Sequence, residues 1–383
     1  MVEGKAKLVI DLGNSETRVL TVFGEKKKLS VLGNSISDIL ESTVDTYKNS
    51  EDYSSDTSRI FKKGGLIYCN GELCEKEFGV TAMRPTSLLK KYETEISILN
   101  IQNALMQGYE DIAGMTNSLP EDVCVSWELV LMLPPADVEK GAPILADRVR
   151  KEIKEIEFLM PELKKEINIE GIKVFPEGFA AFIGVLFESK NSLRDDFAFL
   201  AKTSNLIVDI GAGTTDVLIV RDGKSINTSR FTVNIGGNNV HQVVRGKLRQ
   251  QGISLPDSVV RAGVEVGTVK NGAKTVDITQ YISEAKDMVA KQLVSEIQMF
   301  FESTMYPINT LEYVLVCGGG AERGNVVGVK SMSEFIIQYL KRLSPNIELV
   351  EDVRDNLKNL GIKSNIKKVS TRLYNVLGAN ILG

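Results

Sequence analysis

The decapeptide IDLGNSETRV at residues 10–19 returns as VDIGAGTTDV at residues 208–217. In each copy an apolar run carries a carboxylate, Asp11 or Asp209, followed by an apolar residue, a glycine and small polar residues. β-Branched and apolar positions then resume. This pattern predicts a strand, a glycine turn and a second strand. An acid near the end of a strand-like run is costly to bury unless something positive meets it. Matched acids in two such runs imply two halves built on one plan. If the two acids converged, they would repel each other unless a cation sat between them. The length agrees, since 383 residues exceed what a single core usually serves, and two domains are expected.

Other strands are expected over Trp127–Leu133, Ile172–Phe175 and Tyr313–Cys317. Helical periodicity is expected over Ile96–Tyr109, from Gly178 to about Glu188, and over Val240–Gln250, Asp287–Met305, Ser333–Leu343 and Leu373–Leu382. Strands alternating with helices argue an α/β architecture. Three polar stretches are read more simply. Residues 41–59 form a long exposed loop, Lys190–Ser204 a second loop, and the densely charged Arg148–Ile167 the solvated face of a helix.

Composition excludes several functions. The formal net charge of −4 gives no global attraction to nucleic acid, and the locally basic Lys363–Arg372 reads as a solvated loop. Cys69, Cys74, Cys124 and Cys317 are unpatterned and His241 is the only histidine, so a zinc site is not expected. The N-terminus has no signal-like apolar region, and the longest apolar run, residues 179–187, is too short to span a bilayer. A cytoplasmic protein without membrane contact is expected.

Mg²⁺ carried by a nucleotide would reconcile the two acids, because it prefers oxygen ligands and is often held by carboxylates together with phosphates. Gly13, Gly211 and Gly213 allow backbone N–H groups to approach a phosphate, Ser15, Thr214 and Thr215 add hydroxyls, and Arg18 adds a permanent cation. Either loop alone reads equally well as an ordinary hairpin turn; the matched pair does not. Gly318, Gly319 and Gly320 follow a buried strand and leave room for a bulky group, in a spacing unlike the dinucleotide fingerprint. Glu177, after Pro176 at a helix start, reads either as a favourable carboxylate at the helix dipole or as the group that orients an attacking water.

Taken in order, IDLGNSETR, VFPEGFAAFIG, IVDIGAGTTDV, NIGGNN, LVCGGGAE and LYNVLGANILG resemble the actin, sugar-kinase and heat-shock-chaperone ATPase superfamily from about residue 7 onward. Within it the chain looks most like the ParM-type bacterial actins that segregate plasmids, through KVFPEGFAAFIGVL, LVLMLPP, EYVLVCGGGAE and LYNVLGANILG. The resemblance implies two actin/ribonuclease-H-like domains with mixed sheets flanked by helices and a nucleotide in the interdomain cleft. Residues 1–185, completed by 366–383, would form domain I and residues 186–365 domain II. Ending on the connecting helix would leave no substrate domain of the chaperone kind.

By the same resemblance, Asp11 and Asp209 would hold Mg²⁺ through water and Glu177 would position the hydrolytic water. Gly13, Asn14, Ser15 and Arg18 would bind phosphate from domain I, and Gly211, Gly213, Thr214 and Thr215 from domain II. Gly236, Gly237 and Asn239 would flank the nucleotide. Gly318, Gly319 and Gly320, with Glu322, would pack on the nucleoside. Asn239 stands where many members carry an acid, and Val260–Lys270, expected to face the base, matches poorly, so ATP and GTP both stay open. The implied protein hydrolyses ATP or GTP to ADP or GDP, assembles with itself into filaments, and moves plasmid DNA through a DNA-binding adaptor. A sugar or acid kinase of the same superfamily is the alternative, and a non-catalytic structural protein a third reading.

Overall fold

Each repeated stretch forms the central hairpin of a sheet, and the two sheets have one strand order. The computed structural model describes residues 1–383 apart from 15, 55, 86–89, 191, 323, 352–360 and 365–369. In the first sheet, β1 (Val2–Leu12) pairs antiparallel with β2 (Glu16–Phe23), and β2 with β3 (Lys26–Gly33). On its other side β1 runs parallel to β4 (Val123–Leu133), and β4 to β5 (Asn168–Pro176). In the second sheet, β6 (Ser204–Ile210) pairs antiparallel with β7 (Thr215–Arg221), and β7 with β8 (Phe231–Val233). There β6 runs parallel to β9 (Tyr313–Cys317), and β9 to β10 (Glu348–Leu349). The duplication read from two decapeptides therefore extends over five strands on each side.

Side-chain alternation divides each sheet into two faces. Leu8 and Ile10 of β1 join the core under α1 (Glu95–Thr116), while Val9 joins a different core around α2 (Phe179–Leu186) and α5 (Tyr374–Leu382). In the second sheet, Leu206 and Val208 of β6 pack with α3 (Gly237–Gln250) and α4 (Thr279–Ser303), while Ile207 faces α2 and α5. Strands covered on both faces are apolar along their whole length, as in Leu129–Leu133 and Leu206–Ile210 apart from Asp209. Helices α2 and α5 thus lie in one core shared by both sheets. Among the described residues no helix is long and apolar enough to cross a membrane.

Three expectations are corrected. The charged stretch Arg148–Ile167 is not one helix. A helix spans Val138–Glu152, and strands Glu155–Met160 and Glu162–Glu166 follow as a hairpin. In Glu155–Met160, Ile156, Phe158 and Met160 are buried in alternation, a period of two that the surrounding charges obscure. The stretch 41–59 is only partly loop: it holds a short helix, Val44–Lys48, and runs into strand Ser58–Lys63. Strands Ser58–Lys63, Glu155–Met160 and Glu162–Glu166 join Ile36–Ile39 and Leu66–Gly71 in a third, five-stranded sheet. Lys190–Ser204 contains a 3₁₀ helix, Asp195–Lys202, anchored by buried Phe197 and Leu200.

Helices α2 and α5 cross at glycines. A Cβ on Gly378 would overlap the Ala180 carbonyl oxygen, and one on Gly184 the Tyr374 carbonyl oxygen. Gly378→Ala is expected to cost about 3 kcal/mol or more, because the clash is with backbone. Gly114, helical and facing open space, is the control. Gly114→Ala should stabilise by about 0.5–1 kcal/mol. Urea denaturation midpoints of the two variants check both signs.

Candidate functional site

The two hairpins end at one cleft. Asp11 lies across the ladder from Arg18, and Asp209 across from Asp216, so the same register position holds a cation in one sheet and a second acid in the other. Arg18 Nη1 donates to Asp11 Oδ2 at 3.0 Å and its Nη2 to Glu16 Oε2 at 3.2 Å. Asp216 Oδ1 accepts from Thr232 Oγ1 at 2.6 Å. Asp209 Oδ2 accepts from Asn375 Nδ2 at 2.6 Å, and Asn375 Oδ1 in turn accepts from the N–H groups of Gly178 and Ala181 at 2.9 and 3.1 Å. One amide from α5 therefore joins the second hairpin to the unsatisfied first turn of α2.

Glu177 sits on the link between β5 and α2, where its N–H donates to the Leu133 carbonyl at 2.8 Å. Its carboxylate is buried and Oε1 lies 2.6 Å from Lys91 Nζ. Five acidic side chains (Asp11, Glu16, Glu177, Asp209, Asp216) and three basic ones (Arg18, Lys91, Arg372) line the cleft, two more acids than bases. Burial, and then the charge of Glu177, pushes the Asp209 carboxyl up to about 7. Burial likewise raises Glu177 and, with the charge of Glu177, raises Asp216. Among the described residues, no group of three or more Asp, Glu, His or Cys side chains is placed to hold an ion jointly. A cation entering here would bring most of its own ligands.

Of the residues singled out in the sequence, Asp11, Gly13, Asn14, Arg18, Glu177, Asp209, Gly211, Thr214, Gly318 and Gly319 line this cleft together. Ser15 lies outside the described residues. Gly213 belongs to the same loop without lining the cleft. Thr215 is corrected: its hydroxyl is buried and donates to the Ile235 carbonyl at 2.7 Å, because alternation along β7 turns Asp216, not Thr215, toward the cleft. Gly236 and Gly237 act on the second hairpin loop from behind, where Gly237 N–H donates to the Gly211 carbonyl at 3.0 Å. Asn239, in the first turn of α3, reaches back to the residue that caps it, its Oδ1 accepting from Gly236 N–H at 2.9 Å.

The glycine triplet has a second use. Gly318 has a φ of +89°, and a Cβ there would overlap Asp209 Oδ1, so only glycine lets the end of β9 approach that carboxylate. Gly320 is turned against Ile210, to whose carbonyl its N–H donates at 2.7 Å. Glu322 does not line the cleft; it accepts from Thr371 N–H and Oγ1 at 2.7 and 2.8 Å and pairs with Arg372. Lys91, Asp216, Arg372 and Asn375 are cleft residues that sequence reasoning missed. Superposing the two decapeptides sets Asp216 on Arg18, so one of these four placements had a signal in the repeat.

Duplicated five-stranded sheets, a pair of crossing helices and a cleft between hairpin loops are a specific combination. Solved structures share it over almost the whole chain. The actin-like protein Alp7A aligns at a TM-score of 0.68 and 16% identity, covering 98% of this chain and 95% of that one. The archaeal actin homologue Ta0583 in complex with ADP gives 0.64 and 14%, covering 98% of each chain. The chain has an actin-like fold. A 15-stranded ParM filament from Clostridium botulinum gives a TM-score of 0.61 at 16% identity, again covering 98% of each chain. The family model described as archaeal actin homologue MreB-like, C-terminal, matches residues 207–324, the heart of the second sheet and its helices. No curated protein matches the sequence.

Within this actin-like fold the raised acids fix a pH dependence. A carboxyl whose folded value exceeds its unfolded one binds more protons in the folded state, so stability falls as pH rises through that window. For Asp209 the window runs from the ordinary 3.8 to about 7. Without metal or nucleotide, stability should therefore decline as pH rises from about 4 to about 7, and Asp209→Asn should flatten the decline. Urea midpoints across that range check this; parallel curves for the two proteins would contradict it.

Proposed function

We propose that the protein is a nucleotide-dependent, filament-forming actin-like protein that binds and hydrolyses ATP, or GTP, and drives plasmid DNA segregation through a DNA-binding adaptor. The observation that carries this reading is the pair Asp11 and Asp209, at equivalent ends of matched hairpins, facing one cleft beside Glu177. The donor set fits Mg²⁺ arriving with a nucleotide: the cleft is lined by more acids than bases, and glycine-bearing loops of both hairpins border it. Magnesium would supply charge neutralisation there, held by Asp11 and Asp209 through water. Gly13, Asn14 and Ser15 from one loop and Gly211, Gly213 and Thr214 from the other would contact phosphate, with Arg18 as a permanent cation. Gly318 and Gly319 would lie against the nucleoside.

In this reading residues 1–185 with 366–383 form one domain and 186–365 the other, and a bound triphosphate joins them. Glu177 orients the attacking water. Loss of the terminal phosphate removes contacts from both loops and biases the protomer toward opening, which loosens the filament. The ParM of the 15-stranded filament supports the assembly half of the proposal by likeness of fold, and the ADP complex of Ta0583 supports the nucleotide half.

Sedimentation with and without Mg-ATP or Mg-GTP tests the proposal. Nucleotide-dependent pelleting is expected, and Glu177→Gln should slow phosphate release by about 100-fold or more while pelleting persists. A protein that stays in the supernatant with both nucleotides and phosphorylates an added sugar would contradict it.

A further inference from the structure

The three cations of the cleft are held differently. Arg18 is committed to Asp11 and Glu16 of its own hairpin, and Arg372 to Glu322. Lys91 belongs to neither hairpin and lies four residues before α1. Its side chain is only 13% exposed, and its ammonium lies 2.6 Å from Glu177 Oε1. Asp11 and Asp216 are the other carboxylates acting on it, so it stands among acids from the first hairpin, the connector to α2 and the second hairpin. A lysine ammonium is a compact charge with three donors, and one hydrogen bond to Glu177 leaves capacity for another anion.

The nucleotide reading creates a difficulty that Lys91 resolves. If Glu177 orients a water toward a terminal phosphate, a buried carboxylate and that phosphate approach each other as like charges. A cation between them removes the conflict, and Lys91 is already bound to Glu177 on the cleft side. We propose that Lys91 reads the terminal phosphate: seated between Glu177 and that group, it makes the cleft favour a nucleoside triphosphate over the diphosphate. The inference rests on the cleft's being a nucleotide site, and it assigns to that site the residue that sets its specificity for phosphate number. Hydrolysis would then leave Lys91 with Glu177 alone, and the preference would become a signal of nucleotide state.

Removing Lys91 alone would leave Glu177 as an uncompensated buried charge, so the test uses the neutral, near-isosteric pair K91M/E177Q beside E177Q. The full chain is titrated calorimetrically with magnesium and either ADP or a non-hydrolysable ATP analogue, and with the guanine equivalents in parallel. Wild type is expected to bind the triphosphate analogue about tenfold or more tightly than the diphosphate. E177Q, with Lys91 intact and released, should keep or increase that preference. K91M/E177Q should lose it, with affinity for the diphosphate within about threefold of that of E177Q, because only the charge-assisted bond to the terminal phosphate has gone. Retention of the preference by K91M/E177Q, or an equal loss for both nucleotides, would overturn the role of Lys91 while leaving the nucleotide site standing. Failure of the wild type to bind any of these nucleotides would overturn both.

Discussion

Asp11, Glu177, Asp209 and Asp216 share one cleft with Arg18 and Lys91, and burial raises the cost of keeping Glu177, Asp209 and Asp216 ionised. Such a constellation is hard to account for by folding alone, since apolar residues of similar size at these strand ends would pack without the cost. The cost becomes reasonable if the excess charge is neutralised by something that enters and leaves. Every other feature of the site serves that arrangement. The hairpins bring the acids to the ends of their strands, the bare Gly318 lets β9 approach Asp209, and Gly237 and Asn238 brace the second loop at the Gly211 and Ala212 carbonyls.

The same acids are wired to the part of the fold that joins the two sheets. Asn375 of α5 donates to Asp209 and accepts from Gly178 and Ala181, the residues immediately after Glu177 and inside the first turn of α2. Helices α2 and α5 meet through glycine without intervening side chains, in a core that both sheets share. A shift of Asp209 relative to Asp11 therefore acts on α2 through one amide, and on the position of Glu177 beside it. Close-packed contacts of this kind favour discrete arrangements over gradual deformation. Under the proposed function, this link would couple what the cleft holds to the packing of α2 against α5.

Much of this was legible in the sequence because the signal was repeated. Two copies of strand, acid, glycine turn and strand defined both hairpins, and their superposition also held the positions of Asp216 and Thr215. The third sheet was not legible. Its strands are short, come from residues 36–71 and 155–166, and alternate apolar residues with a dense run of charge that imitates a helix surface. Lys91 had no local signal at all, since KKYETE reads as a solvated approach to a helix, and only the fold brings that ammonium to Glu177. Asn375 was a polar residue in an apolar helix, a hint whose partner could be named only in three dimensions.

The most direct test is calorimetric titration of the purified chain with ATP, and with GTP, in magnesium and then with magnesium chelated. The excess of acids over bases in the cleft predicts a single site whose affinity collapses without the metal, because triphosphate and acids then repel each other. Equally tight binding in chelator, or no binding in either condition, would contradict the account.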